Sequence, residues 1–365
     1  MLRYLAVLVV MSVALVAAPA VAQVDLIAVG FGQGDDNGGT GVYRQQGGAL
    51  TRNYKMTGAG GNVTSVDWFT DASGFAYVTD AASGAFASVD PNGGWIAPPN
   101  GLGSPGLDVT VLSQSNDKVV MSLQGASAQT RNKALNGIVH GPAMMGAGVI
   151  TSTELPNGNV IYLYEDPNSP RTRIRSAPGG DWNQQQDIFD NGFGAGDRAV
   201  VLSSLPNGRV IIGSDDNGRI SVRPNDGVCC HDNGNMRGPG IGVTDVLGLP
   251  DGNMAVAFSN GDFNIYTGAA PFNSLGGGGG WHVTSMDVNP VTNNLVYGTA
   301  SGDVWVRDLD GYTPGGQYPL ATIAHQNVSN SPIGSISVAN AVPEPASAVM
   351  LLIASLGAVC LRRRK

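Results

Sequence analysis

Cys229 and Cys230 are adjacent, and His231 follows directly. Vicinal thiols can close on each other in an oxidising compartment, stay as two thiols, or join the imidazole in holding a soft metal. Neighbours along a strand point to opposite sides, so three consecutive residues converge poorly on one ion. A vicinal disulfide or an incidental pair is the simpler expectation. The histidines His140, His231, His282 and His325 are scattered without ligand spacing, and no H-E-x-x-H, G-x-S-x-G or P-loop pattern occurs. Oxygen-rich turns recur at Asp35-Asp36-Asn37-Gly38, Asp215-Asp216-Asn217-Gly218 and Asp308-Leu309-Asp310-Gly311. Such turns suit Ca²⁺, with Asp35, Asp36, Asp215 and Asp216 as weak candidates, but none is followed by the loop that ends in a bidentate Glu. Asp and Asn are equally the residues that turns select for their own geometry. The run Gly276–Gly280 lacks the Lys-Ser or Lys-Thr of a phosphate cradle and reads as a flexible connection. Trp68, Trp95, Trp182, Trp281 and Trp305 are spread along the chain. Most are expected in packing, with a minority at a loop face available to stack on sugar rings. No catalytic constellation and no cofactor is expected from these residues, and no metal beyond weak Ca²⁺.

What must position any site is a chain of turns. Glycine is 53 of 365 residues and charged residues are 13%, which favours short strands over long helices. Residues 23–345 hold 15 Lys and Arg against 28 Asp and Glu. That acidic balance excludes nucleic acid as an expected partner, because phosphate binding needs cations.

The segment Arg198–Gly227 sets the pattern. The apolar runs Ala199–Leu202, Val210–Ile212 and Ile220–Val222 are separated by turns carrying Asn207-Gly208 and Asn217-Gly218, a hairpin signal read here as two type I′ turns. Related segments begin at Val63, Val109, Val149, Val243 and Val283, and their first turns recur every 41 to 50 residues. Leu-Pro-Asn-Gly or Leu-Pro-Asp-Gly stands at the first turn of three successive copies, at 155–158, 205–208 and 249–252. Three strands leave room for a fourth in each copy, with Ala49–Met56, Gly137–His140, Gln186–Phe189 and Tyr318–Ile323 as candidates. Four strands per repeat of this length is the signature of a β-propeller blade. Ile333–Val338 looks like a first strand with nothing after it, and Val24–Phe31 and Gly41–Gln45 like a second and third. The two ends would thus form a seventh blade and leave no open sheet edge. The expected fold is all-β, a single propeller over residues 23–341 with seven four-stranded blades. The stretch Ser301–Gly311 resembles the third strand and exit turn of a WD40-type blade, but the Gly-His dipeptide of that family is missing from the copies, which marks the chain as propeller-like rather than a WD40 array.

The two ends carry addresses. Residues 1–22 place Arg3 before an apolar core and end in Ala20-Val21-Ala22, the A-x-A cleavage signature of a secretory signal peptide. The Sec export machinery is the implied partner. At the other end, Val342-Pro343-Glu344-Pro345 precedes the apolar run Ala346–Leu361 and the basic cluster Arg362, Arg363, Arg364 and Lys365. An apolar run of this length is marginal for crossing hydrocarbon, and the basic end would stay cytoplasmic. This order of Pro-Glu-Pro, hydrophobic helix and Arg cluster resembles the bacterial PEP-CTERM sorting signal, over residues 342–365 only. The resemblance implies recognition by an exosortase-type membrane protease, removal of the tail with Cys360, and export to the cell surface or extracellular matrix of a bacterium that makes exopolysaccharide. It says nothing of what the body binds. Two functions are expected on these grounds: an exported, non-catalytic binding or structural protein with exopolysaccharide as a candidate partner, or an extracellular polysaccharide lyase or hydrolase. A channel mouth lined by Ser, Gly and Asn would favour the first. His, Arg and carboxylates converging on one face would favour the second.

Overall fold

The computed structural model describes residues 25–340 apart from short internal stretches at 33–37, 57–60, 82–83, 116–117, 126–127, 141–148, 166–171, 182–185, 191–192, 194–197 and 225–231. The proposed signal peptide, the sorting tail, the Asp35-Asp36 turn, Trp182 and the Cys229-Cys230-His231 run lie outside the described residues. The described residues fold as twenty-eight strands in seven four-stranded antiparallel sheets. The described residues contain one helical element, the three-residue 3₁₀ turn Ser113–Ser115. This is a seven-bladed β-propeller.

The inner strands, one per blade, are Val63–Trp68, Gly106–Leu112, Val149–Glu154, Ala199–Ser204, Val243–Gly248, Val283–Asn289 and Ile333–Asn340, here blades 1 to 7 in that order. The seventh is the split blade. Ile333–Asn340 pairs with Asp25–Phe31, which pairs with Thr40–Gln46 and then Ala49–Met56. The register sets Asp25 opposite Asn340 and Phe31 opposite Ile333. Both chain ends of the body therefore leave from one point.

Second strands such as Phe75–Thr79, Val210–Ser214 and Met254–Phe258 are buried along their whole length. They are apolar on both faces because each lies between two other blades. The core accordingly falls into seven clusters, one at each junction of adjacent blades. Glycine permits the closest of these contacts. A Cβ on Gly298 would stand 2.3 Å from Ile333 of the next blade, and one on Gly30 would stand 2.4 Å from Val63.

The two Asn-Gly turns of blade 4 are not alike. Asn217 and Gly218 both have positive φ (61° and 52°), as a type I′ turn requires. At the other turn only Gly208 does, at 81°. There Pro206 leads a tighter turn, closed by Gly208 N–H donating to Leu205 O at 2.9 Å and Leu205 N–H donating to Arg209 O at 2.8 Å. The same bonds recur at Leu155–Asn159 and Leu249–Asn253. Pro pre-sets φ for a type I turn, and Gly then takes the left-handed position. The expectation of I′ at both turns is corrected at this one.

Two further readings differ, while Val24 lies outside the described residues. The outer strand of blade 6 is Ala321–Asn327 rather than Tyr318–Ile323: Leu320 has φ 47°, and Tyr318 turns inward to hydrogen-bond Asp251. Finally, Gly276–Gly278 is no flexible connection. Ser274–Gly278 is the outer strand of blade 5 and pairs with Phe263–Tyr266.

Closure is fastened by one buried carboxylate. Asp25 is fully buried. Its Oδ1 accepts from Asn289 Nδ2 at 2.8 Å and Thr292 Oγ1 at 3.0 Å, and its Oδ2 from Asn294 Nδ2 at 2.7 Å. Burial pushes its carboxyl above the usual range, and these three bonds oppose the rise. The Asp25→Ala variant strands three donors of blade 6, of which Asn289 and Asn294 are buried. It should cost about 1–3 kcal/mol, by the penalty for unsatisfied buried polar groups. Urea unfolding would show this as a lower midpoint with an unchanged slope. An unshifted midpoint would mean that ring closure does not depend on this latch.

Candidate functional site

Each inner strand has one edge with no partner strand, because it ends its sheet. Its alternate N–H groups point across the junction to the next blade. Side chains at the third and fifth positions of the preceding inner strand meet them. At third positions, Ser335 Oγ accepts from Val66 N (3.1 Å), Asp108 Oδ2 from Ser152 N (2.8 Å), Asp245 Oδ2 from Met286 N (2.7 Å) and Ser285 Oγ from Ile336 N (2.9 Å). At fifth positions, Ser337 Oγ accepts from Trp68 N (3.3 Å), Asp67 Oδ2 from Val111 N (2.6 Å), Ser203 Oγ from Gly248 N (3.2 Å) and Asp287 Oδ2 from Val338 N (2.6 Å). The donors are always fourth or sixth residues. Blades 3 and 4 are joined instead by Ser204 Oγ donating to Glu154 O at 3.2 Å. All seven junctions are thus bridged.

At the start of the inner strands this ring opens into a mouth. It holds a cavity of about 250 Å³ lined by second and third residues of the inner strands. Its wall has two characters. Leu107, Ile150 and Val200 of blades 2 to 4 form an apolar arc. Thr64, Ser65, Thr244, Thr284, Ser285 and Ser335 form a hydroxyl arc from blades 5, 6, 7 and 1, with Thr151, Asp108, Asp245 and Gly334 completing the wall. The threonine protons are spent outward: Thr64 donates to Gly106 O at 3.0 Å, Thr284 to Ile333 O at 2.7 Å and Thr244 to Val283 O at 3.4 Å. A second cavity of about 260 Å³ shares the apolar arc and reaches a rim where Arg198 pairs with Glu165.

Four half-buried aspartates face one another through this channel. Burial pushes Asp67 up to about 8, with the Val111 N–H opposing it and the charges of Asp287 and Asp108 adding to it. Burial raises Asp245 to about 7 and Asp287 to about 6, each against two backbone hydrogen bonds. Burial also raises Asp108, against the bond from Ser152.

The residues singled out by sequence fare differently. Asp215 Oδ1 accepts from Arg198 N at 2.9 Å. Asp216 Oδ1 accepts from Asn217 N at 2.8 Å and Gly240 N at 2.6 Å. In these turns the carboxylates close backbone, and among the described residues no group of three or more His, Cys, Asp or Glu stands where a metal could be held. His325 lies on the Trp305 ring, centroids 3.7 Å apart, with Nε2 3.2 Å from Asp303 Oδ1. The Arg307 guanidinium lies over Trp281 at 4.7 Å and over Trp305 at 4.6 Å. Those rings are therefore engaged in packing, and Trp68 is buried with Nε1 donating to Ser337 O at 3.0 Å. Among the described tryptophans only Trp95 is exposed, at 44%. None of the described histidines lines the mouth. The mouth residues themselves went unnoticed in the sequence. Their signal was present: Val63-Thr64-Ser65-Val66-Asp67 and Val283-Thr284-Ser285-Met286-Asp287 are nearly the same word at the start of two copies.

No protein-family model matches the chain, and no curated protein matches it in sequence. Its backbone is similar to solved propellers. A protein of Bacteroides uniformis provisionally assigned as a 6-phosphogluconolactonase superposes with a TM-score of 0.61 at 13% identity, over 87% of this chain and 99% of that one. One of Bacteroides fragilis with the same provisional assignment gives 0.62 at 13% identity, over 88% and 99%. The β-propeller domain of a Myceliophteria thermophila protein gives 0.57 at 9% identity, over 78% and 94%. At these identities the likeness establishes the fold alone.

The raised carboxyls make a pH prediction. An acid whose pKa is higher folded than unfolded keeps a proton in the folded state that the unfolded chain releases, so its contribution is present at low pH and lost as pH rises through the folded value. Across about pH 4 to 8 the propeller should lose thermal stability as pH rises. Asp67→Asn mimics the protonated form. It should leave the Tm near pH 4 almost unchanged and stabilise at pH 8 by at least about 1–2 kcal/mol, one pKa unit being about 1.4 kcal/mol. Melting curves of wild type and variant at both pH values decide it, and an unchanged Tm at pH 8 would contradict it.

Proposed function

We propose that this chain is an exported, non-catalytic binding or structural protein of a bacterial cell surface or exopolysaccharide matrix. Its propeller would offer the mouth to a ligand, and its tail would direct sorting. The observation that carries the non-catalytic part is the state of the two mouth carboxylates. Asp108 accepts Ser65 Oγ (2.8 Å) on Oδ1 and Ser152 N on Oδ2. Asp245 accepts Val246 N (2.8 Å) on Oδ1 and Met286 N on Oδ2. Each is committed to holding blades together, and no described His, Arg or Lys lines this cavity beside them. A nucleophile or general base must be within hydrogen-bond reach of substrate, and both oxygens of Asp108 and Asp245 are turned to strand N–H and Ser hydroxyl groups. Among the described residues lining the two cavities, the competing reading, a polysaccharide lyase or hydrolase, would rest on the rim pair Glu165 and Arg198.

Export and sorting rest on the sequence of the ends: Ala20-Val21-Ala22 for the Sec-dependent signal peptidase site, Val342-Pro343-Glu344-Pro345 for the exosortase-type protease, and Arg362–Lys365 as the stop to transfer. Among the described residues no helix is long and apolar enough to cross a membrane. The segment proposed to do so, 346–361, lies outside them. Pro343 and Pro345 each lack an N–H and restrict the preceding residue, so the motif would be offered as extended backbone.

Two measurements test this. A glycan array and a turnover screen on residues 23–341 should give binding without product, and product formation would establish the enzyme reading. Replacing Pro343, Glu344 and Pro345 together by alanine should leave a folded body held in the inner membrane, whereas intact-mass analysis of exported wild type should find residues 346–365 gone. An exported wild-type mass that still includes Cys360 and the Arg cluster would reduce the tail to an ordinary anchor.

A further inference from the structure

The antiparallel pair that closes the ring also fixes where the hydrophobic ends attach. Asp25 is opposite Asn340, so residues 1–24 and 341–365 leave the body side by side. That point lies at the far end of the inner strand of blade 7. The mouth lies at its near end, lined by Gly334 and Ser335. The six steps from Gly334 to Asn340 separate the two by ~20 Å at the rise of an extended strand. All seven inner strands begin at the mouth, so their exits, with the turns at 155–158, 205–208 and 249–252, share the face from which the ends emerge. On that face stands Val291, the most exposed large apolar side chain of the described residues at 60%. It is next to Thr292, whose hydroxyl binds Asp25.

Resting on the anchoring proposed above, we infer that while the tail is attached the propeller lies with this exit face against the bilayer and its mouth held outward. Five residues, 341–345, join Asn340 to the apolar run. Fully extended, the six Cα steps from Asn340 to Ala346 reach at most ~22 Å. Asn340 ends the innermost strand of its blade, so to reach the mouth side the chain would have to cross three strand spacings, ~14 Å, and then descend the ~20 Å depth of the ring, and the mouth face therefore cannot turn to the membrane. Val291 is then an apolar contact at the lipid surface, and the mouth is open to polymer in the surrounding matrix. The same tether places Pro343-Glu344-Pro345 in the gap between propeller and membrane, so the sorting protease must work beneath the exit face.

Two labelling sites in blade 6 read this orientation. Val291 is in the turn after its inner strand, and exposed Ala300 is in the turn at the other end of the next strand, Asn294–Thr299. The full chain, with Cys229→Ser, Cys230→Ser and Cys360→Ser, would carry a fluorophore at Val291→Cys or Ala300→Cys. It would be reconstituted into phosphatidylethanolamine–phosphatidylglycerol vesicles containing an energy-acceptor lipid. Flotation reports anchoring, and circular dichroism that each variant is folded. The expected result is flotation of both, with the Val291→Cys label quenched at least about twofold more than the Ala300→Cys label, the sites being ~20 Å apart along the strand. Flotation with equal or reversed quenching overturns the orientation and leaves the anchor standing. Failure of either folded variant to float overturns the anchor, and the orientation with it.

Discussion

A propeller must dispose of seven inward strand edges. In an ordinary sheet such an edge would pair with another strand or face water, and backbone N–H groups left without partners are costly. Here the edge amides are taken up by the next blade's neighbour: Ser or Asp at the third and fifth positions of one inner strand accepts from the fourth and sixth amides of the following one. Because every bond crosses a junction, the ring is stitched as it closes. Each such bond contributes about 0.5–1.5 kcal/mol in the usual range, added to the apolar burial between blades. The channel is polar for this reason, since the residues that line it are the stitching.

This arrangement explains the aspartates without asking them to be catalytic. A carboxylate offers two strong acceptor oxygens to N–H groups in a confined channel, and Asp67, Asp245 and Asp287 make the shortest of these bonds, at 2.6 to 2.7 Å. The cost is burial, to which nearby like charge adds for Asp67 and Asp245, and it lifts their titration toward neutrality. Serine does the same task at Ser285, Ser335 and Ser337 with no charge. The mixture of both spreads the burden around the ring.

Much of the fold was legible because turns punctuate the chain. Leu-Pro-Asn-Gly, Asn-Gly and Ser-Gly pairs mark strand ends through backbone conformations that few residues adopt, so six copies and the split seventh could be read from local chemistry. The outer strands were less legible: they are short and lie on one neighbour only, and the glycines of Ser274–Gly278 carry no side-chain pattern at all. The mouth was not legible. Ser65, Asp67, Asp245 and Ser285 alternate with apolar residues as any half-exposed strand does. Only closure of the ring brings positions about 40 residues apart into hydrogen-bond contact, as in Asp67 with Val111. The acidic turns drew attention by density of charge, yet Asp215 and Asp216 are occupied with backbone one to twenty-four residues away. What the ends do remains written in sequence alone.

Amide hydrogen exchange across the inner strands tests the central claim most directly. If the junction bonds hold the ring, the amides of Val111, Met286 and Val338, which have no partner strand to protect them, should exchange as slowly as those of the buried second strands and only through global opening. Exchange of these amides at the rate of the surface turns at 155–158 and 205–208 would show that the inner edges are open to water and that the ring is held by other means.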